Sequence, residues 1–123
     1  MLMFEGNAEA AMNRYVDLLG GEILEVERHG ADQPAVEGKI RLARFRIRGQ
    51  DVLTIDSPAH HDFTFTPATS LFVTCDDEQD LRRLSDALLD GGQALMPLDD
   101  YGFSTLFTWV NDSFGVSWQL NLP

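Results

Sequence analysis

Positive charge is scarce in this chain: nine Lys and Arg stand against twenty Asp and Glu, giving a net charge of −11. Binding nucleic acid needs clustered cations to displace the counterions of phosphate, so that function class is set aside. Cysteine is nearly missing too. The single Cys75 excludes an internal disulfide framework and fits a reducing cytoplasm, where we place the protein. No apolar run approaches the ~20 residues that span a bilayer, and Met1-Leu2-Met3-Phe4 is too short for a secretory leader. A membrane role is therefore not expected. What remains is 123 residues, 44% of them hydrophobic, enough for one domain that buries roughly two-thirds of its unfolded surface.

The few cations are unevenly spread. Lys39, Arg41, Arg44, Arg46 and Arg48 fall within ten residues, on a predicted strand from Lys39 to Arg48 whose phase is ambiguous. Under strict alternation, Ile40 and Leu42 share a face with Arg44, Arg46 and Arg48, so apolar and basic residues swap sides near Ala43. Either a bulge resets the phase, or Arg44 and Arg46 line a concave surface beneath Ile40 and Leu42. Charged residues on an outer face or sheet edge, where they block aggregation, are the simpler alternative.

In chain order, Met1 to Phe4 ends an apolar strand and Asn7 caps a helix. Ala8, Ala11, Met12, Tyr15, Val16 and Leu19 form its buried stripe, and Gly20-Gly21 stop it. Glu22 to Arg28 reads as a strand, Gly30 to Gly38 as a loop, and Asp51 to Asp56 as a further strand. Ser57 to Pro67 connects to a second half with the same plan. Ala68 to Cys75 is a strand, and Asp76 caps a helix with Gln79 at capping-box spacing. Leu81, Leu84, Ser85 and Leu88 give that helix its stripe, and Gly91-Gly92 end it. Strands follow at Gln93 to Leu98 and Phe103 to Val110, separated by the turn Asp99-Asp100-Tyr101-Gly102. The closing stretch Asp112-Ser113-Phe114-Gly115-Val116-Ser117-Trp118-Gln119-Leu120 is a glycine-tipped turn and a two-faced strand. Val116, Trp118 and Leu120 point one way; Ser117, Gln119 and Asn121 point the other. Order and spacing thus predict an α+β fold of tandem βαβββ modules, about 1–56 and 68–123, in a single domain spanning 1–123.

Three segments, Phe4-Glu5-Gly6-Asn7-Ala8-Glu9-Ala10-Ala11-Met12, Phe65-Thr66-Pro67-Ala68 and Asp112-Ser113-Phe114-Gly115-Val116-Ser117-Trp118-Gln119, resemble the PhnB-like branch of the glyoxalase/bleomycin-resistance (vicinal oxygen chelate) superfamily. Members often carry the name 3-demethylubiquinone-9 3-methyltransferase. The resemblance implies paired modules whose sheets curl into a cup, usually in a homodimer. Metal-dependent relatives hold a divalent cation in that cup on His and Glu side chains, an ion able to polarise a substrate carbonyl. Here the matching positions fall at or before Met1, around Val52 or Thr54, on Ser70 and on Gln119. None is a good ligand, so neither metal nor other cofactor is expected. Relatives usually carry several more residues ahead of Phe4; if the start is truncated here, the first half has a short strand. Methyl transfer is not expected either, because the glycine pairs follow helices rather than opening one after a strand.

Candidate site residues follow from the cup. Phe103, Phe107 and Trp109 form an aromatic row that suits a flat ligand or simply the core; Ser70 and Gln119 supply polar groups, and Arg44 and Arg46 would favour an anion. Adjacent His60 and His61 invite metal or acid–base chemistry, but neighbours in an extended segment point apart, and exposed loop histidines are the simpler reading. No partner for His29 is visible. Cys75 lies just before a helix cap, where thiols become reactive, yet packing as a small apolar residue suits it better. Phe63 and Phe65 suit a plug or a dimer contact. The expected function is binding of a small organic ligand by a metal-free homodimer; the alternatives are a metal-dependent lyase, isomerase or dioxygenase-like enzyme, and a structural dimer without a cavity.

Overall fold

Side-chain alternation gives every strand here a face that a helix can cover and a face that it leaves open. The computed structural model describes residues 1–123 and divides them into two compact units, Met1–Asp62 and Phe63–Pro123. The first unit runs β1 (Leu2–Phe4), α1 (Ala8–Leu19), β2 (Glu22–Arg28), β3 (Ile40–Ile47) and β4 (Gln50–Asp56). The second runs β5 (Leu71–Thr74), α2 (Glu78–Leu89), β6 (Gln93–Asp99), β7 (Leu106–Asn111) and β8 (Ser117–Leu122). Strand order is β1-β4-β3-β2 in one sheet and β5-β8-β7-β6 in the other, so the second repeats the first. In each, the first and last strands pair in parallel and the remaining pairs are antiparallel. The α+β expectation holds.

Each helix buries its predicted stripe against its own sheet. Ala8, Ala11, Met12, Tyr15 and Leu19 are buried on α1, with Val16 half-buried, and Leu81, Leu84, Ser85 and Leu88 are buried on α2. Tyr15 meets Phe45 of β3 with ring centroids 6.4 Å apart. Burial of such side chains is worth roughly 1.5–3 kcal/mol each, which explains why the stripes rather than propensity fix the helices. The glycine pairs after the two helices share two tasks. Gly20 and Gly91 take positive φ, the left-handed conformation that closes a helix. Gly21 and Gly92 instead allow close approach: an added Cβ would stand 2.0 Å from the Arg46 carbonyl oxygen and 2.2 Å from that of Asn111.

Several boundaries differ from expectation. Asn7 occupies the cap position of α1 but its side chain makes no capping bond. Asp56, buried at the end of β4, supplies it instead: Oδ1 accepts from Gly6 N (2.7 Å) and Ala8 N (3.0 Å), and Oδ2 from Ile40 N (3.0 Å). A local signal was thus replaced by a residue 48 positions from the Ala8 donor that it caps. On α2 the cap is Asp77, not Asp76, and its Oδ1 accepts from Asp80 N at 2.8 Å. The loop after β2 contains a short 3₁₀ turn, Pro34–Val36, that buries Val36. Phe103, Ser104 and Thr105 lie in bends before β7, and Ser70 lies just outside β5, so both predicted strands are shorter than expected.

The phase of β3 is settled by a bulge. Glu27 pairs with Leu42 and Arg28 with Ile40, so Arg41 is the extra residue. Ile40 thereby joins Ala43, Phe45 and Ile47 on the buried face under α1, while Arg44 and Arg46 point to the open face. Arg48 leaves the strand at φ 49° and Gly49 follows at φ 79°, as a two-residue hairpin turn needs. Its Nε donates to the Leu19 carbonyl at the end of α1 (3.3 Å). On the open face, Arg46 pairs with Asp51 (2.7 Å) and Glu22 (3.5 Å), and Arg44 with Asp51 (3.3 Å) and Glu25 (3.8 Å). The Arg46 guanidinium holds the Asp51 carboxyl below its usual range, and the carboxylate raises Arg46 in return.

Truncating Asp56 strands backbone donors at Gly6, Ala8 and Ile40. Asp56→Ala is expected to lose roughly 3–5 kcal/mol in urea unfolding and Asp56→Asn less, since one acceptor oxygen survives; equal stability of wild type and Asp56→Ala would contradict this. Asp51 acts only through exposed pairs, so its effect is small and screened by salt. Because its folded-state pKa lies below the unfolded one, the stabilisation lost in Asp51→Asn is present at neutral pH. It disappears as the pH falls through that lowered value. Unfolding curves of the two proteins at low and high salt, from neutral pH to below the ordinary aspartate range, measure the convergence.

Candidate functional site

The open face of the second sheet is organised by β8. Trp118 and Leu120 are buried on the α2 side, which turns Ser117, Gln119 and Asn121 to the other. Asp112 holds the turn that sets this phase. Its Oδ1 accepts from Phe114 N (2.8 Å) and Val116 N (3.0 Å), and its Oδ2 accepts the Trp118 indole N–H (2.9 Å). Gly115, at φ 87°, closes the turn with its N–H on the Asp112 carbonyl (3.0 Å).

Register then assembles the face. Gln119 lies opposite Trp109 on β7 and opposite Phe72 on β5, so its amide sits between two aromatic side chains. Met96 of β6 is paired beyond Trp109. One step along, Ser117 lies opposite Asn111, and one step the other way Asn121 lies opposite Phe107. Ser117 Oγ accepts the Trp109 indole N–H (2.8 Å) and shares a second hydrogen bond with Ser70 Oγ (2.7 Å). Trp109 is therefore fixed in orientation rather than merely packed. The half-buried Gln119 side chain has no hydrogen-bond partner within the protein, and Asn111 Oδ1 is a buried acceptor also left unpaired.

Of the sequence candidates, Ser70, Gln119, Phe107 and Trp109 meet on this face. Phe103 joins from its edge: it is 62% exposed and outside β7, yet its ring stands 4.9 Å from Phe107 at 73°. Tyr101 stacks on Phe103 at 6.2 Å and was missed, since a turn residue gave no reason to expect it. Phe72, 58% exposed, was missed for lack of a phase for its strand. Arg44 and Arg46 lie on the first unit's open face, each already occupied by carboxylates.

The histidines are spoken for. His60 Nδ1 pairs with Glu5 Oε1 (2.9 Å), which holds the Glu5 carboxyl below its usual range, and His61 Nε2 meets Ser57 Oγ (2.9 Å). His29, expected to lack a partner, donates from Nε2 to the Asp56 carbonyl (2.8 Å). Nowhere do three His, Cys, Asp or Glu side chains converge as a metal site requires. The positions resembling ligands do not fit a cation: Val52 is apolar, Thr54 Oγ1 donates to the Leu2 carbonyl (3.1 Å), and Ser70 and Gln119 are neutral. Cys75 is buried beside the α2 side of its sheet, as a packing residue is.

Residues 1–121 match the family model described as 3-demethylubiquinone-9 3-methyltransferase. The PhnB protein of Bacillus cereus is 47% identical with a TM-score of 0.94, covering 99% of this chain and 95% of that one. A protein of Pseudomonas aeruginosa is 28% identical at a TM-score of 0.85, over 98% and 92% of the two chains. The lactoylglutathione lyase of Agrobacterium tumefaciens, 14% identical at a TM-score of 0.60 over 99% and 92%, shares the fold alone. No curated protein matches the chain. With its glyoxalase-like α+β fold and a family match that runs almost end to end, the chain belongs to the PhnB-like 3-demethylubiquinone-9 3-methyltransferase family.

Proposed function

We propose that this protein binds a small organic ligand on the open face of its second sheet, without a resident metal. The observation that carries the reading is the Gln119 amide, unpaired and flanked by Phe72 and Trp109. Large rigid rings give contact area at little entropic cost, and an unpaired amide gives direction. Ser70, through Ser117, fixes the Trp109 ring from behind. Phe103, its ring against the buried Phe107, extends the apolar surface at one end. Arg44 and Arg46 belong to the first unit, where Asp51, Glu22 and Glu25 already engage them. The active form in this reading is a cytoplasmic homodimer; no helix is long and apolar enough to cross a membrane.

The family's name speaks of methyl transfer, but the glycine pairs end α1 and α2, and only Gly6 lies between β1 and α1. A doubly wound cofactor site needs a glycine-rich turn between strand and helix. Binding therefore accounts for the residues better than transfer does. A metal-dependent lyase, isomerase or dioxygenase would need ligands drawn from elsewhere, and His60 and His61 already engage Glu5 and Ser57.

A thermal-shift screen of organic compounds is expected to find stabilising ligands, with Gln119→Ala weakening them roughly tenfold, the worth of about one directed hydrogen bond. A broad library that leaves the melting temperature unmoved contradicts the reading. Elemental analysis of the purified protein is expected to find no stoichiometric Zn, Ni, Mn or Fe. Such a metal, lost on replacing His60 or His61, would instead favour the enzyme.

A further inference from the structure

We propose that the face around Gln119 selects uncharged planar heterocycles with a lactam-type edge, an N–H beside a C=O; this rests on the reading of that face as a ligand site. The first argument concerns hydrogen bonding. A primary carboxamide offers one donor and one acceptor side by side, and the Gln119 amide spends neither on the protein. Its complement is a ligand edge with the same two groups in reverse order, the pairing by which Gln and Asn read adenine edges in nucleic acids.

Spacing supplies the second argument. Phe72 and Trp109 lie one strand to either side of Gln119, so their backbones stand roughly 9.5 Å apart, twice the strand spacing. The Trp109 indole leans over β8, where its N–H reaches Ser117 Oγ, so a flat ligand stacks on a ring held beside the Gln119 amide. That position directs its edge down onto the Gln119 amide.

Charge gives the third. The unit that carries this face has only Arg82 and Arg83 as cations, both on α2, across the sheet from Gln119. Both are already paired, with Glu78 (3.6 Å) and Asp80 (3.1 Å). An anionic ligand would lose its hydration on this face and find no free counter-charge within this unit, a cost that neutral heterocycles avoid.

Isothermal titration calorimetry of the full chain with three probes tests this: 2-quinolinone, its N-methyl derivative and 2-naphthoate. The lactam 2-quinolinone is expected to bind, with N-methyl-2-quinolinone at least roughly tenfold weaker, because an unpaired polar group in the site rejects the analogue that lacks its partner. In Gln119→Leu the two should bind alike, and Phe72→Ala should weaken both; the wild-type comparison needs no variant to fold. Equal affinity of the two lactams, tighter binding of 2-naphthoate, or no response to any of them while other library compounds bind overturns the lactam assignment alone. Silence to all of these and to the library as well overturns the ligand site itself.

Discussion

The hydrogen bond from the Trp118 indole to Asp112 sets what the second sheet presents. Strand period is two, so a slip of one residue would carry Ser117, Gln119 and Asn121 under α2 and expose Trp118 and Leu120. Asp112 prevents this by binding the turn backbone with one carboxyl oxygen and the indole with the other. A large ring that is fully buried and tethered at its polar atom has one place to go. Everything on the open face, from the Ser117–Trp109 bond to the placement of Phe72, follows from that register.

The first unit uses a related device at a different point. Asp56 is buried at the end of β4 and gathers backbone donors from the β1–α1 turn and from the start of β3. It joins segments far apart in sequence, whereas Asp112 organises a local turn. Both units need a second glycine after the helix, because a side chain at Gly21 or Gly92 would strike a strand carbonyl. The repeated plan is thus maintained by backbone clearance as much as by apolar stripes. The open faces, by contrast, have diverged: one is laced with Arg–carboxylate pairs and the other carries rings and amides.

Much of this was legible in the sequence. Both helical stripes, the glycine stops and the two-faced closing strand appear in the residue pattern because apolar period and turn chemistry are local signals. Long-range features were not. Asn7 looks like a cap, but the donors near it are taken by Asp56, which no local rule connects to that turn. The Arg41 bulge could be posed as an alternative but not chosen, since strand phase is fixed by the partner strand. Phe72 and Tyr101 joined the candidate face only through register and ring contact. Which way Arg44 and Arg46 face stayed open in the sequence, and their neutralisation by Glu22, Glu25 and Asp51 depends on pairing across strands.

The central claim is that an organic ligand settles over Gln119 between Phe72 and Trp109. Side-chain amide and indole resonances followed by ¹⁵N NMR during titration with a compound that stabilises the protein test it directly. The account predicts that the Gln119 amide and the Trp109 indole signals move together and saturate, while the buried Trp118 indole stays in place. Saturating shifts confined to residues of the first unit, with Gln119 and Trp109 unmoved, would contradict it.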